Sequence, residues 1–316
     1  MTLDTNLDTG AVRAALCALG ETPGVGLRTV NRIYAVLGGN AARWLALAGR
    51  SAVNILSAVP ALNPVQAQAL AACLPERLAD AARRMEAARA AGLTPVCRAD
   101  DAYPDTLSES LGVDAPPLLY LRGEPSLAAR LSGAVVGTRA PSPRGLACAA
   151  ACAEVLANAG AVVVSGGAAG VDTAAHDAAL ACGGATVAVL PLGLLEACPP
   201  AHWREALDSG RLLLVSECPP NARWQTHAAV ARNRIIAALA RLVCVIEPRK
   251  VGGSIQTARH GLAGGRPVFC VGAVDLPAGM DRELRALPKR RPALETALRA
   301  ALEASETNSG ATDRLC

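Results

Sequence analysis

The first ninety or so residues place apolar side chains at three-to-four spacing, which is the period of an amphipathic helix. No stretch in this region alternates apolar and polar residues as a half-buried strand does. We therefore predict an all-helical region at the start of the chain. Its helices are predicted over GAVRAALCAL, LRTVNRIYAVL, AARWLALA, PVQAQALAACL and PERLADAARRMEAARAAG.

A glycine-containing turn separates the first two predicted helices. TPGVGLRTV places Pro23, Gly24 and Gly26 just before a new helix, and VPALNPVQAQAL, beginning at Val59, is a weaker version of the same pattern. The pattern resembles a helix-hairpin-helix motif of a SAM-like domain, whose turn can offer backbone N–H groups to a DNA phosphate. A plain helical corner is the alternative interpretation, and we favour it.

From Thr94 onwards the pattern changes to short apolar runs separated by helical segments. A short strand is predicted around LLYLRG, and six more strands over GAVVGT, AVVVSG, ATVAVL, RLLLVSE, RLVCVIE and RPVFCVG. The helices between these six are predicted from Pro143 to about Asn158, from Val171 to about Ala181, and over PAHWREALDSG, HAAVARNRIIAAL and SIQTARHGLAGG. Strands that alternate with crossover helices predict an α/β fold with a doubly wound, Rossmann-like parallel sheet.

These patterns divide the chain into three parts. We predict a small helical domain over residues 1–92, a Rossmann-like domain over 93–292, and a short helix with a flexible tail over 293–316. The last helix is predicted near Ala293–Ala304, and the tail SETNSGATDRLC is expected to fray.

Composition narrows the function only slightly. The formal net charge of +4 is compatible with a polyanionic partner, and aromatic residues make up 2% of the chain, so few side chains can stack on nucleic-acid bases. The eleven cysteines contain no C-x-x-C pair, and we expect neither a zinc site nor disulfides. The N-terminus lacks a secretory signal and the apolar runs are strand-sized, which predicts a cytoplasmic protein that does not enter the membrane.

Three glycine-containing turns follow predicted strands, at the sheet edge where parallel-sheet proteins bind ligands. They are GTR at Gly137–Arg139, SGGAAGVD at Ser165–Asp172 and VGGSIQT at Val251–Thr257. Each offers N–H groups at the positive end of a helix together with a hydroxyl, and the first adds the Arg139 guanidinium. Glycine also serves tight turns, but three such turns at one edge indicate a phosphate site.

The glycine turns do not predict a bound cofactor. The dinucleotide fingerprint G-x-G-x-x-G and the P-loop pattern are both incomplete in this sequence. A nicotinamide cofactor or ATP is therefore not expected.

Two polar clusters allow more than one interpretation. Asp172 and His176 are four residues apart and share a helix face, so they are compatible with an acid–base pair. We favour a structural interpretation in which the aspartate bonds the glycine turn and the histidine packs beside it. In ARNRII, Arg232 and Arg234 flank Asn233 and serve either as a solvated face or as phosphate and loop contacts.

The chain also carries an ordered series of motifs over roughly Tyr103 to Gly272. The series is YPDTL, PPLLYLRG, VVGTRAPSPRG, VVVSGGAAGVDTAAH, TVAVLPLG, GRLLLVSECPP, ARNRIIAAL, VCVIEPRKVGGSIQTA and GRPVFCVG. It resembles the DNA-processing protein A family, also called DprA or Smf, of bacterial transformation. The helical N-terminal region agrees with that family as well.

The resemblance implies a binding protein rather than an enzyme. It implies a cytoplasmic homodimer without a cofactor or metal that holds single-stranded DNA, protects it during competence and recombination, and loads the RecA recombinase. Arg139 is the DNA contact that we expect first. The residues expected at the DNA interface are Gly137, Thr138, Arg139, Ser165, Gly166, Gly167, Asp172, His202, Arg232, Asn233, Arg234, Lys250, Gly253, Ser254 and Thr257.

The sequence departs from the family pattern in several loops. Ala169 stands where the family's S-G-x-A-[RK]-G-I-D turn has a basic residue, and His202 stands where an asparagine is usual. The aromatic–proline pair before R-N-R is missing in HAAVARNR, and the segment after Gly272 is blurred. From the residues that follow, we expect no winged helix of the kind that is frequent in the family. These changes fall in loops, so we expect the fold to persist.

Two other function classes stay open. A nucleoside-monophosphate-processing hydrolase uses a related sheet with glycine-rich phosphate turns, but its string P-G-G-x-G-T-x-x-E is absent here. A protein-interaction scaffold with a reduced DNA pocket is the third possibility, suggested by Ala169.

Overall fold

The computed structural model describes residues 5–272 and 280–309. The chain divides into two compact units, Met1–Leu121 and Arg122–Cys316. The domain boundaries given above, at residues 92 and 292, stay a prediction. Across the described ranges, no helix combines the length and the apolarity that a bilayer crossing requires.

The first unit is mainly helical, as the apolar spacing predicts. Its helices are α1 (Thr5–Gly20), α2 (Leu27–Leu37), α3 (Ala41–Leu45), α4 (Ala52–Ala58), α5 (Pro64–Ala90) and α6 (Asp105–Leu111). Strand β1 (Thr94–Cys97) pairs antiparallel with β2 (Leu118–Gly123), the strand predicted around LLYLRG.

Four details of this unit differ from the sequence prediction. Helix α5 runs through Pro75, where two helices were predicted. A proline removes one N–H donor, but buried residues on both sides of it, such as Leu70 and Met85, hold α5 together. Helices α4 and α6 and strand β1 were not predicted, because they have only seven, seven and four residues.

The predicted hairpin turn between α1 and α2 is present. Gly24 has a φ of +78°, which favours glycine, and the Val25 N–H donates to the Thr22 carbonyl at 3.0 Å. The Gln66 side chain of α5 donates to the Gly24 carbonyl at 3.0 Å. The turn is thus fixed by its own unit, and its contact with DNA stays a prediction.

The second unit is built on a parallel sheet. Its strands are β3 (Ser132–Gly137), β4 (Val162–Ser165), β5 (Thr186–Val189), β6 (Leu212–Ser216), β7 (Leu242–Ile246), β8 (Val268–Val271) and β9 (Arg285–Ala286). Their order is β6-β5-β4-β3-β7-β8-β9, and all neighbours in it pair parallel. The six predicted strands and the doubly wound arrangement are confirmed. Strand β9, with two residues, was not predicted.

Helices connect these strands and cover the sheet. They are α7 (Pro143–Asn158), α8 (Val171–Ala181), α9 (Ala201–Asp208), α10 (Thr226–Ala231), α11 (Asn233–Leu239), α12 (Gly253–Ala263) and α13 (Arg291–Ser309). A single helix was predicted over HAAVARNRIIAAL. The structure has two helices there, separated at Arg232, whose side chain is buried. Helix α13 continues to Ser309, where fraying was predicted, and residues 310–316 and the blurred segment at 273–279 lie outside the described residues.

Small side chains fill the core of this unit. Ala149, Ala153, Ala175 and Ala179 on α7 and α8 are completely buried. The low aromatic content is therefore offset by close helix approach, which small residues permit.

The strand order creates a crevice beside β3. From β3 the chain moves outward through β4, β5 and β6, then returns to β7 on the other side of β3. The loops that follow β3 and β7 therefore lead away from each other at the carboxyl edge. This switch point is where open α/β sheets bind ligands.

Candidate nucleic-acid interface

A cavity of ≈ 370 Å³ lies at this switch point. Loops after β3 and β7, the turn before α8, and the segment from Trp224 to Ile236 form its walls. It brings together nine of the residues predicted for the interface. These are Gly137, Thr138, Arg139, Asp172, Arg232, Asn233, Gly253, Ser254 and Thr257.

The first glycine turn presents Arg139 to the cavity. The Thr138 N–H donates to the Ile246 carbonyl at 3.2 Å, and the Thr138 carbonyl accepts from the Val171 N–H at 3.2 Å. Both bonds fix the loop on its neighbours, β7 and α8. The Arg139 side chain is exposed and lines the cavity, as the phosphate hypothesis requires.

The second glycine turn is occupied by a side chain of the protein. The buried Asp172 carboxylate accepts from the Ala168 N–H at 3.4 Å, and the N–H groups of Gly137 and Gly166 also face it. Ser165 donates its hydroxyl proton to the Val135 carbonyl at 2.6 Å. The N–H groups that the sequence suggested for a phosphate thus serve an internal carboxylate.

Arg232 lies beneath the same turn. Its Nη1 donates to the Val189 carbonyl at 2.7 Å, whereas its buried Nε has no hydrogen-bond partner among the described residues. A Cβ on Gly166 would lie 1.8 Å from Nη1, so the turn needs glycine here to admit the guanidinium. Arg232 braces the loops from inside the fold.

The opposite charges of Asp172 and Arg232 offset the cost of burying each other. Burial raises the pKa of the Asp172 carboxyl, and the charge of Arg232 and the surrounding N–H groups oppose that rise. Burial likewise lowers the pKa of the Arg232 guanidinium, while Asp172 opposes that fall. Removing either charge would leave the other buried without compensation.

The amino end of α7 is also occupied. Ser142 caps this helix by accepting from the Gly145 N–H at 3.0 Å, and Glu247 accepts hydrogen bonds from both the N–H and the hydroxyl of Ser142. These bonds hold the pKa of the Glu247 carboxyl below its usual value. Glu247 is the residue after β7 and has a φ of 45°, so the chain accepts a strained backbone at this position.

The third glycine turn, before α12, remains open. Gly252 is the N-cap of α12 and provides no side-chain cap, and a Cβ on it would meet nothing within 4 Å. Within the described ranges, the N–H groups of Gly253 and Ser254 find no hydrogen-bond acceptor. The positive end of an eleven-residue helix therefore faces the cavity without an anion.

Asn233 adds an unpaired donor to this open end. Its side chain is almost fully buried, and Nδ2 has no hydrogen-bond partner among the described residues. A Cβ on Gly253 would lie 3.3 Å from that nitrogen, so the amide stands next to the turn. A buried donor without a partner is costly, and an anion at the turn would satisfy it.

Six predicted residues do not line the cavity. Ser165, Gly166 and Gly167 belong to the occupied second turn. His202 bonds Asp177 from the first turn of α9, with 2.7 Å between Nε2 and Oδ1. Arg234 donates to both oxygens of Glu217 at 2.7 and 2.6 Å, because α11 turns it away from the cavity. Lys250 is exposed beside the cavity residue Arg249.

Asp172 and His176 are not joined by a hydrogen bond in the part of the chain that is described. The Thr186 hydroxyl donates to the Val163 carbonyl, so it accepts from His176 Nδ1, 2.6 Å away. Burial lowers the pKa of His176 to about 3, and its ring packs edge-on against Trp203. This arrangement is the structural interpretation of the pair, with a neutral histidine.

Several cavity residues were missed by the sequence analysis, notably Trp224, Val230 and Arg249. Trp224 carried one usable signal, because NARWQTH surrounds an aromatic residue with polar neighbours and thereby predicts exposure. Arg249 carried none, since no local pattern separates it from Lys250.

Comparison with known proteins assigns the family. A family model described as DNA recombination-mediator protein A matches residues 94–284, more than half of the chain. The chain belongs to this family. The matched range contains every residue that lines the cavity.

Two similar curated proteins are named DprA and Smf. The DNA processing protein DprA of Streptococcus pneumoniae is 41% identical over 174 residues, which cover 54% of this chain and 60% of that protein. Protein Smf of Escherichia coli is 38% identical over 172 residues, covering 54% of this chain and 45% of that protein. This member of the DprA family thus spans about half the length of these curated relatives.

Two solved structures share the fold. DNA processing protein A from Streptococcus pneumoniae superposes with a TM-score of 0.56 at 28% identity, covering 83% of this chain and 95% of that chain. DNA processing protein A from Helicobacter pylori, described for its single-stranded DNA binding mode, gives a TM-score of 0.54 at 25% identity, covering 65% and 95%.

Proposed function

We propose that this DprA-family chain binds single-stranded DNA in the cavity beside β3 and acts in recombination as a binding protein, not as an enzyme. The open amino end of α12 is the observation that carries the proposal. The single-stranded DNA binding described for the Helicobacter pylori protein supports it.

The charges around the cavity favour a phosphate at this end. Arg139 and Arg249 are exposed guanidinium groups of its lining, and the lining's one carboxylate, Asp172, is buried among N–H groups. A DNA phosphate at the turn would accept from the N–H groups of Gly253 and Ser254 and from Asn233. The two guanidinium groups would then hold that phosphate or its neighbours along the strand.

The cavity lining has few groups that could act as an acid or a base in hydrolysis. Apart from three arginines, Asp172 is the titratable residue in its lining, and His176 is completely buried. A nucleoside-monophosphate hydrolase needs a positioned acid and base at the reacting bond. We therefore expect no free base to appear when the protein is incubated with nucleoside monophosphates.

The finer functions rest on the family resemblance. We propose that the protein acts in competence and natural transformation, protects incoming strands, loads RecA, forms a homodimer and works in the cytoplasm. Light scattering would test the dimer, and nuclease protection and RecA filament assembly on protein-coated DNA would test the other two activities.

Binding to a fluorescent oligothymidylate tests the main proposal. Arg139→Ala and Arg249→Ala should each weaken binding about fivefold and reduce the slope of log K against log salt by about 0.7, the value for one lost phosphate contact. Arg130→Ala is the matched control, because this exposed arginine precedes β3 at the opposite edge of the sheet. Absence of salt-sensitive binding by the wild-type protein would overturn the proposal.

A further inference from the structure

An apolar rim borders the cationic cavity. Trp224, Val230 and Val251 are 49%, 48% and 84% exposed, and all three belong to the cavity lining. Exposed aliphatic and aromatic side chains occur singly on most surfaces, but three at the mouth of one cavity form a patch. The cavity therefore combines an apolar mouth with a cationic interior.

Trp224 differs from the other two tryptophans of the chain. Trp44 and Trp203 are 1% and 2% exposed, and their indole N–H groups donate to the Gly38 carbonyl and to Asp177. Trp224 makes neither a hydrogen bond nor a ring contact with any residue that the structure describes. No hydrogen bond or ring contact within the described fold therefore occupies this ring, and about half of its surface is open to solvent.

The ligand that fits both surfaces has an anionic part and a flat apolar part, because both surfaces line one cavity. A nucleotide of a DNA strand has this form, since its phosphate and its base are joined through one sugar. A volume of ≈ 370 Å³ is within the range of small-ligand pockets. An unpaired base can stack on an exposed indole, whereas a base inside a duplex is already stacked on both faces.

We propose that Trp224 is the stacking platform for one nucleobase of the bound strand, with Val230 and Val251 flanking it. This inference rests on the proposed DNA binding and adds a second subsite to it. The α12 turn binds the backbone phosphate, and Trp224 binds the base. The base subsite makes the cavity selective for single strands.

Tryptophan fluorescence and matched oligomers test this subsite. Oligo(dT) should quench the emission of Trp224, which is the tryptophan open to solvent, and Trp224→Phe should remove that change while keeping most of the affinity. Trp224→Ala should weaken oligo(dT) binding about tenfold, the typical loss for one stacked base. An abasic deoxyribose-phosphate oligomer of equal length should bind wild type and Trp224→Ala equally.

Leu146→Ala serves as the control, because it shortens an exposed apolar side chain of α7 that does not line the cavity. It should leave both affinities unchanged, and circular dichroism verifies that each variant is folded. Salt-sensitive oligo(dT) binding without any change in Trp224 emission, or an equal loss of both oligomers in Trp224→Ala, would overturn the stacking proposal and leave DNA binding intact. Failure of the wild type to bind either oligomer would overturn both proposals.

Discussion

The amino ends of α8 and α12 differ in one decisive position. Each helix has eleven residues, follows a strand of the same sheet and has a glycine N-cap, Gly170 or Gly252. Two residues after the N-cap, α8 has Asp172 and α12 has Ser254. The aspartate reaches back to the N–H groups of its own turn, whereas the serine leaves them open.

The first turn of the following helix decides whether a glycine-rich turn at a sheet edge is open to a ligand. Both turns offer N–H groups at the positive end of a helix, so glycine content alone does not separate them. An acidic residue in the first helical turn supplies an internal anion, and the turn then stabilises the fold instead of binding a ligand. The charge of the second helical residue is the informative signal.

The largest expected difference between the two ends concerns stability. Asp172→Ala removes the acceptor of several N–H groups and leaves Arg232 uncompensated, so the free energy of unfolding should fall by about 4 kcal/mol. Ser254→Ala, at the matching position of α12, should change it by less than about 0.5 kcal/mol. Urea denaturation of both variants measures the difference. Equal stability of the two would show that Asp172 does not hold its turn.

The second largest expected difference is in the stability effect of substituting the two N-cap glycines. A Cβ on Gly170 would lie 2.6 Å from the Thr138 carbonyl oxygen at a φ of +88°, so Gly170→Ala should lower the free energy of unfolding by about 3 kcal/mol. Gly252→Ala meets open space and should leave stability unchanged or raise it by up to about 1 kcal/mol. Thermal unfolding followed by circular dichroism compares the two. A similar loss in both would remove the distinction between a packed and an open turn.

The sheet of the second unit was predictable because its strands are apolar runs bounded by glycine and charge. The bounds of α7 and α8 follow directly from Pro143 and Gly170, which mark the starts of these helices. Short elements escaped the prediction, since β9 has two residues and α4 has seven. Two helices were predicted around Pro75 where the structure has one, because burial along α5 outweighs one lost hydrogen bond.

The position of the candidate site was predicted in outline, but not all hydrogen-bond partners of its residues were. The sequence identified the sheet edge and Arg139, because strand order brings the loop ends together. It favoured the bond between Asp172 and its own glycine turn, which the structure contains, but it did not reveal that Arg234 turns towards Glu217, since that contact depends on side-chain direction. Trp224 comes from a loop between strands, and only the folded chain brings it to the cavity.

The most direct measurement gives α12 the acidic residue that α8 already has. Ser254→Asp places a carboxylate at the position that matches Asp172, where it should occupy the open turn and repel a phosphate. Oligo(dT) affinity at fixed salt should fall at least about tenfold, while thermal stability stays the same or rises and Ser254→Ala binds within about threefold of wild type. Unchanged affinity in a folded Ser254→Asp protein would contradict the claim that the amino end of α12 holds the phosphates of the strand.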